Sequence, residues 1–418
     1  MNKITAYLKK RAITAPWRID GLPAGRFGGA VVIPSLAESE NLPGTLRSLA
    51  ANPPELHQCY LIVVVVNHRC DASREQQADN RRTLERLPAW KTELNLATLC
   101  WVDAVSPGLE LPPRQGVGLA RKIGMDLALA TLTTRGDDPL LVCLDADTTV
   151  QPDYLQALLD HDTASAVGGT AIPYRHQPAA DPAGQEAIDR YELFLRAYVL
   201  GLELAGSPWA FHTVGSAMAC RASVYAAAGG MNKRLAGEDF YFLQQVHKVS
   251  GVAPLTGTVV HPSPRSSWRV PFGTGRSVGD MLTDGPKRLM FYDPKLFELL
   301  GDWLAGVGES WTMDGAAMLA CGFGVNRALG EFLQEAGFGD AWDGIRRNNP
   351  GNVRNRKAFH DWFDAFRTMR LMHRLTDSGF PRQAPELVLP PLLQKAGIPC
   401  RTTAVPDMLA ALRRRQGA

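Results

Sequence analysis

Two aspartates, Asp145 and Asp147, close a run of five apolar residues, Leu140-Leu141-Val142-Cys143-Leu144. The run follows the polar turn Gly136-Asp137-Asp138-Pro139. That pattern suits a central parallel strand covered on both faces. Its tip then carries Asp145-Ala146-Asp147, at the carboxyl end of a strand, where open α/β sheets bind their ligands. Two hard oxygen donors at such a place suit Mg²⁺ or Mn²⁺ carrying a diphosphate. An isolated Asp-x-Asp is common, and taken alone it also reads as a solvated turn. Three further groups have chemical potential. Gly237 precedes the acidic pair Glu238-Asp239, which a helix dipole would favour in a first turn. His261 ends a short apolar segment. The stretch Gly116-x-Gly118-x-x-Arg121-Lys122 opens a helix whose N-terminus and basic pair could face phosphate. It lacks the third glycine of a dinucleotide fingerprint and lies far from the first strand, which argues against a Rossmann dehydrogenase.

The surrounding elements must position these groups. Apolar strands are expected at 30–34, 61–66, 96–102 and 140–144. Helices are expected between them: one running to about Ala51 with Ser35 or Ser39 as N-cap, a charged one over 74–87, and one from Gly116. Strand and helix in this alternation predict a parallel sheet flanked by helices. Beyond it, strands are expected at 166–172, 217–220 and 259–261. Helices are expected at 186–205, 223–228 and 238–249. Residues 262–275, rich in Pro, Ser, Arg and Gly, read as a loop. From about Asp284 the pattern is helical, with Phe359, Trp362, Phe363, Phe366 and Met369 as an apolar stripe on one helix. The expected division is a lead-in over 1–27, an α/β domain over 28–275 and a mainly helical C-terminal region over 276–418.

At 418 residues, 45% hydrophobic and 21% charged, the chain has the composition of a globular protein with a sizeable core. A net charge of +3 does not call for a nucleic-acid partner, and none is expected. Seven scattered cysteines without a C-x-x-C pair read as reduced thiols, and a cytoplasmic location is expected. Met1 to Arg18 is basic without an apolar core, so no secretory signal is expected. The most apolar long segment, Ala187 to Ala210, carries Asp189, Arg190, Glu192, Arg196 and Glu203, so no transmembrane span is expected. Peripheral membrane contact stays open. The basic residues Arg346, Arg347, Arg354, Arg356 and Lys357, and the tail Arg413-Arg414-Arg415, form a solvated surface or meet an anionic partner.

Several motifs in order carry a family resemblance. They are Val-Val-Ile-Pro with Glu38-x-x-Asn41-Leu42, the loop after the second strand, Gly-Leu-Ala-Arg-Lys-Ile-Gly before a helix, and Leu-Asp-Ala-Asp. Gly215-Ser216-Ala217-Met218 with Gly229-Gly230, and then Gly237-Glu238-Asp239, continue the series. Together they resemble family-2 glycosyltransferases of the GT-A fold, over about residues 28–275. The resemblance implies an inverting, metal-dependent transfer from a nucleotide-diphosphate sugar, UDP- or GDP-linked, to an acceptor hydroxyl. It implies Asp239 as general base, with Glu238 beside it. It implies Mn²⁺ or Mg²⁺ held by Asp145, Asp147 and His261. Donor binding would fall to Pro34, Glu38, Asn67, Asp71, Arg121, Lys122, Asp145, Ala146, Arg265 and Arg269. The acceptor side would hold Gly215, Ser216 and Trp209. Two features depart from the family. The second loop reads Asn67-His68-Arg69-Cys70-Asp71 without the usual acidic pair, and Gln-x-x-Arg-Trp is absent, which argues against a processive synthase. One rival is a sugar-1-phosphate nucleotidyltransferase, but 35–41 has neither the glycine nor the base that class wants after its first strand. The other is a catalytically silent module that binds sugar nucleotides.

Overall fold

A computed structural model of the chain describes residues 3–132, 138–267, 273–349 and 351–418. Gly136 and Asp137 of the expected turn, and Trp268 and Arg269 of the expected loop, lie outside the described residues. The chain divides into two compact units. The first comprises residues 1–180, 213–279 and 417–418, and the second 181–212 and 280–416.

The first unit is built on an eight-stranded sheet. Its strands are β1 (Ile19–Asp20), β2 (Gly29–Ser35), β3 (Tyr60–Asn67), β4 (Leu99–Ala104), β5 (Leu140–Cys143), β7 (Gly169–Ala171), β8 (Met218–Arg221) and β9 (Val252–Pro254). Between β5 and β7 comes β6 (Thr149–Val150), which pairs with β10 (Val260–His261) in a separate antiparallel ribbon. The sheet order is β1-β4-β3-β2-β5-β8-β7-β9. Strands β4, β3, β2 and β5 run parallel, whereas β8 is antiparallel to both β5 and β7. The expectation of an α/β chain with a mostly parallel sheet and a helical C-terminal region holds. Every residue of β2, β3 and β5 is buried, because helices cover both faces and leave no solvated side to alternate with.

The order places the strand that follows β2 on one side of it and β5 on the other. That reversal opens a crevice at the carboxyl ends of β2 and β5, the switch point where such sheets bind ligands. Strand β5 pairs with β2 as far as Val32↔Cys143, and the Leu144 amide still donates to the Val32 carbonyl at 3.1 Å. Asp145 is the next residue, so pairing ends where the acids begin.

Local expectations needed correction in three places. Neither Ser35 nor Ser39 caps the first helix, Leu42–Ala50, which follows Asn41 without a side-chain cap. The Ser39 hydroxyl donates to Asp79 at 2.5 Å, tying this turn to the next helix instead. That helix, Arg74–Glu93, starts at a Ser73–Gln76 capping box and runs through Pro88 to Glu93, anchored by buried Leu87 and Trp90. The aromatic stripe from Phe359 to Met369 falls on two helices, Asn352–Trp362 and Ala365–Asp377. Asp364 breaks it by accepting from the Arg367 amide at 3.0 Å, the N-cap of a new helix.

The lead-in is part of the first unit. Helix Lys3–Lys10 delivers Tyr7, whose hydroxyl donates to buried Asp126 at 2.7 Å. Tyr225 donates to the same carboxylate at 2.8 Å, as does the Ile13 amide.

The second unit is helical. It includes helix Pro182–Leu204, which packs with Pro294–Glu309, Pro385–Lys395 and Val405–Arg415. Its core gathers Leu200, Trp303, Trp342, Phe359 and Leu412. Glu192, fully buried, accepts from Arg413 at 2.7 and 2.9 Å and from Arg196 at 2.8 Å. Arg415 pairs with Glu203. Two of the three tail arginines therefore fasten the last helix rather than face a partner. No helix among the described residues is long and apolar enough to cross a membrane.

Candidate active site

The crevice in the first unit collects acids from three segments. Glu38 follows β2, Asp145 and Asp147 follow β5, and Glu238 and Asp239 begin helix Glu238–Ser250. Two arginines organise them. Arg121, on helix Val117–Leu132, is buried and binds Asp145 through Nη2 and Glu238 through Nη1. One guanidinium thus joins the end of β5 to the start of a helix that lies 117 residues beyond Arg121 in sequence. Gly215 lies against it. A Cβ there would stand 2.5 Å from Nη2, so glycine leaves the fork room that a side chain would take. Ser216 beside it is buried.

Arg265, in the loop after β10, forms the second link. Its Nε donates to Asp147 Oδ2 at 2.8 Å, and Nη2 reaches both Asp147, again at 2.8 Å, and Glu38. Asn41 Nδ2 holds the other Glu38 oxygen at 2.8 Å. The 32% exposure of the Arg265 side chain leaves part of the guanidinium open to solvent.

Burial decides the titration of this cluster. It pushes the Asp147 carboxyl up to about 6, although Arg265 pulls the other way. It likewise raises Glu238, against the opposing charge of Arg121, and the neighbouring Asp239 raises it further. Asp239 is raised for the same reason, again with Arg121 opposing. Burial works against the charge on Arg121, but Asp145 and Glu238 outweigh it and keep the guanidinium protonated.

The loop bearing Asp147 is held by its backbone. Thr45 Oγ1 donates to the Ala146 carbonyl at 2.9 Å. Gln177 Nε2 donates to the Asp147 carbonyl at 2.9 Å and to the His261 carbonyl at 2.7 Å, splinting β10 to the acidic loop. Sequence reasoning missed Gln177, because a lone amide in a loop carries no motif. His261 pairs with Thr149 across the small ribbon, and its Nδ1 lies 3.0 Å from the Arg175 carbonyl. That contact puts the ring proton on Nδ1 and leaves the lone pair on Nε2.

The proposed metal ligands do not form a ready site. Among the described residues no three His, Cys, Asp or Glu side chains converge to hold an ion. Asp145 and Asp147 each face a guanidinium instead. Asp145, Asp147 and His261 therefore do not fit a metal as arranged.

Several expected binding residues make structural contacts in the fold. Lys122 Nζ sits 2.9 Å from Asp126 and donates to the Tyr7 hydroxyl at 2.6 Å, so it anchors the N-terminal helix and does not reach the crevice. The glycine turn before it allows close packing: a Cβ at Gly118 would meet the Arg234 carbonyl at 2.5 Å. Asn67 is buried, and its amide donates to the carbonyls of Ser35 at 3.1 Å and Val65 at 3.0 Å, pinning the tips of β2 and β3 together. Pro34 is buried within β2. Asp71 pairs with Arg69 at 2.8 Å on the surface. Trp209 belongs to the helical unit, where its indole donates to the Phe363 carbonyl at 3.2 Å.

No protein-family model matches the chain, and no curated protein matches its sequence. Solved structures are similar across most of its length. One is S. aureus TarS 1-349 in complex with UDP-GlcNAc, at 13% identity and a TM-score of 0.39, covering 94% of this chain and 92% of that one. Another is the mannosyltransferase PcManGT from Pyrobaculum calidifontis in complex with GDP-Man and Mn²⁺, at 16% identity and a TM-score of 0.36. It covers 87% of this chain and 93% of that one.

Proposed function

We propose that the chain is a GT-A glycosyltransferase that moves a sugar from a nucleotide diphosphate to an acceptor hydroxyl. One observation carries the reading. At the switch point of a mostly parallel sheet, buried Arg121 joins the acid pair at the end of β5 to the acid pair opening a helix. The Asp145-Ala146-Asp147 tip and Glu238-Asp239 become one site rather than two turns.

Asp239 is the base. Its Oδ1 accepts from the Phe240 amide at 2.7 Å, which orients the carboxylate. Burial raises its pKa, which makes the ionised form a stronger proton acceptor. The acceptor oxygen attacks the anomeric carbon as its proton passes to Asp239. The bond from that carbon to the diphosphate breaks, and the leaving group keeps the electron pair. A single displacement inverts the anomeric centre. Arg265 meets the diphosphate by exchanging Glu38 and Asp147 for phosphate oxygens, to which its planar fork is matched. Glu238 fixes Arg121, and Arg121 fixes Asp145.

The test is a panel of UDP-, GDP-, CDP- and dTDP-sugars, each assayed for nucleotide release and for binding, with and without Mn²⁺. Turnover of one donor is expected. Asp239→Asn should keep nucleotide diphosphate affinity and lose transfer by ~10²–10⁴. A folded protein that neither binds nor turns over any donor would refute the reading.

A further inference from the structure

The helical unit holds a cavity of about 200 Å³ that the transfer chemistry does not use. Gly206, Gly301 and Gly308 line part of its wall, beside Leu304, Val307 and Phe359. No atom lies within 4 Å of where a Gly308 Cβ would project, so the space above that glycine is open. Trp311 forms an aromatic wall. Its indole stacks on buried Trp342 with centroids 5.0 Å apart and planes at 16°, and its carbonyl accepts from Arg346 Nε at 3.1 Å. Trp342 is itself fixed by donating to the Met313 carbonyl at 2.9 Å. The platform is therefore rigid before any ligand arrives.

Arg356 and His360 supply the polar side of the lining. Arg356 is exposed and makes no hydrogen bond or ion pair among the described residues. The surrounding sequence from 346 to 357 contains five Arg or Lys residues and no Asp or Glu. Arg346 in that run supports Trp311 and pairs with Asp343 at 3.7 Å, and Lys357 pairs with Asp361 at 2.6 Å. Arg356 therefore brings a cation without a counter-charge to the lining, and such a cation draws anions. The volume lies below the ~300 Å³ at which drug-sized sites begin, so it admits one ring rather than an extended chain. An indole face beside an apolar wall partly made of glycine suits a flat ring whose C–H face can pack on it.

We propose that this cavity binds a single sugar ring carrying an anionic group, with the ring against Trp311 and the anion on Arg356. The proposal stands on the helical unit alone and does not depend on the transfer reading.

The experiment is calorimetric titration of the full chain with glucose 6-phosphate, galacturonate, glucose, inorganic phosphate and UMP. Saturable binding of glucose 6-phosphate or galacturonate is expected, and whichever is tighter identifies phosphate or carboxylate as the anion. Glucose and phosphate should each bind at least about tenfold more weakly, since each lacks one of the two contacts. Arg356→Gln, an exposed change that leaves the fold alone, should weaken binding about tenfold or more. Gly308→Leu should fill the cavity and abolish it. Asp147→Asn, in the other unit, should leave it unchanged. No saturable binding, equal binding to Arg356→Gln, or loss in Asp147→Asn would each overturn the proposal. Tighter binding of phosphate alone, or UMP binding that Arg356→Gln weakens, would overturn the sugar assignment.

Discussion

Asp147→Asn should stabilise the sheet-bearing unit at neutral pH. Burial raises the Asp147 carboxyl from 3.8 to about 6 even with Arg265 beside it. The folded protein therefore holds this proton more tightly than the unfolded chain does. The group favours folding below about pH 4, and that contribution is lost as the pH rises through about 6. A displacement of about two pH units corresponds to about 3 kcal/mol. Asparagine has the shape of the protonated acid and never ionises. The variant should thus exceed the wild type by up to about 3 kcal/mol at pH 8, with the gap falling below about 1 kcal/mol near pH 4. The 21% of the side chain left in solvent makes the larger figure an upper value. Arg265 keeps Glu38 as its counter-charge, so no unpaired cation offsets the gain. Urea unfolding at both pH values gives the answer, provided the denaturant slope is unchanged. An asparagine variant that is less stable at pH 8, or whose difference ignores pH, would refute the claim that burial dominates this carboxylate.

Three further outcomes follow from the same contacts. Arg121→Met leaves Asp145 and buried Glu238 without their cation and should cost about 3–5 kcal/mol at pH 8. That loss should shrink towards pH 5, as the raised Glu238 takes up a proton, and unfolding at the two pH values reads it. Gly215→Ala pushes a methyl group to 2.5 Å from the Arg121 fork and should cost about 1–3 kcal/mol, with a parallel fall in transfer rate; wild-type stability would show that the fork can move aside. Asp126→Ala orphans the Tyr7 and Tyr225 hydroxyls and buried Lys122 and should cost about 3–5 kcal/mol, with faster amide exchange in helix Lys3–Lys10 if that helix is docked as described.

Much of the sheet was legible because buried parallel strands are written as unbroken apolar runs. Tyr60–Asn67 and Leu140–Cys143 are of that kind. The acids at 145, 147, 238 and 239 were legible as chemistry because they recur in order with the other motifs, at the ends of apolar elements where open α/β sheets bind ligands. What those residues touch was not legible. Arg121 and Lys122 are neighbours in sequence and read alike as phosphate ligands. A helical turn of about 100° per residue sends them to different surroundings, one to the crevice and one to Asp126. Asn67 looked like a donor ligand at a strand tip, but only the register of β2 on β3 shows that its amide bonds their carbonyls.

By itself, the sequence determines the element types, the mostly parallel sheet and the places where acids end strands, because these follow from local periodicity and chain punctuation. It does not determine the pairing of Arg265 with Glu38 and Asp147, the fork of Arg121 over Gly215, or the membership of Pro182–Leu204 in the helical unit. Those depend on which surfaces meet when distant segments pack. A charge chooses its partner by distance and burial in the folded chain, and sequence separation carries no trace of either.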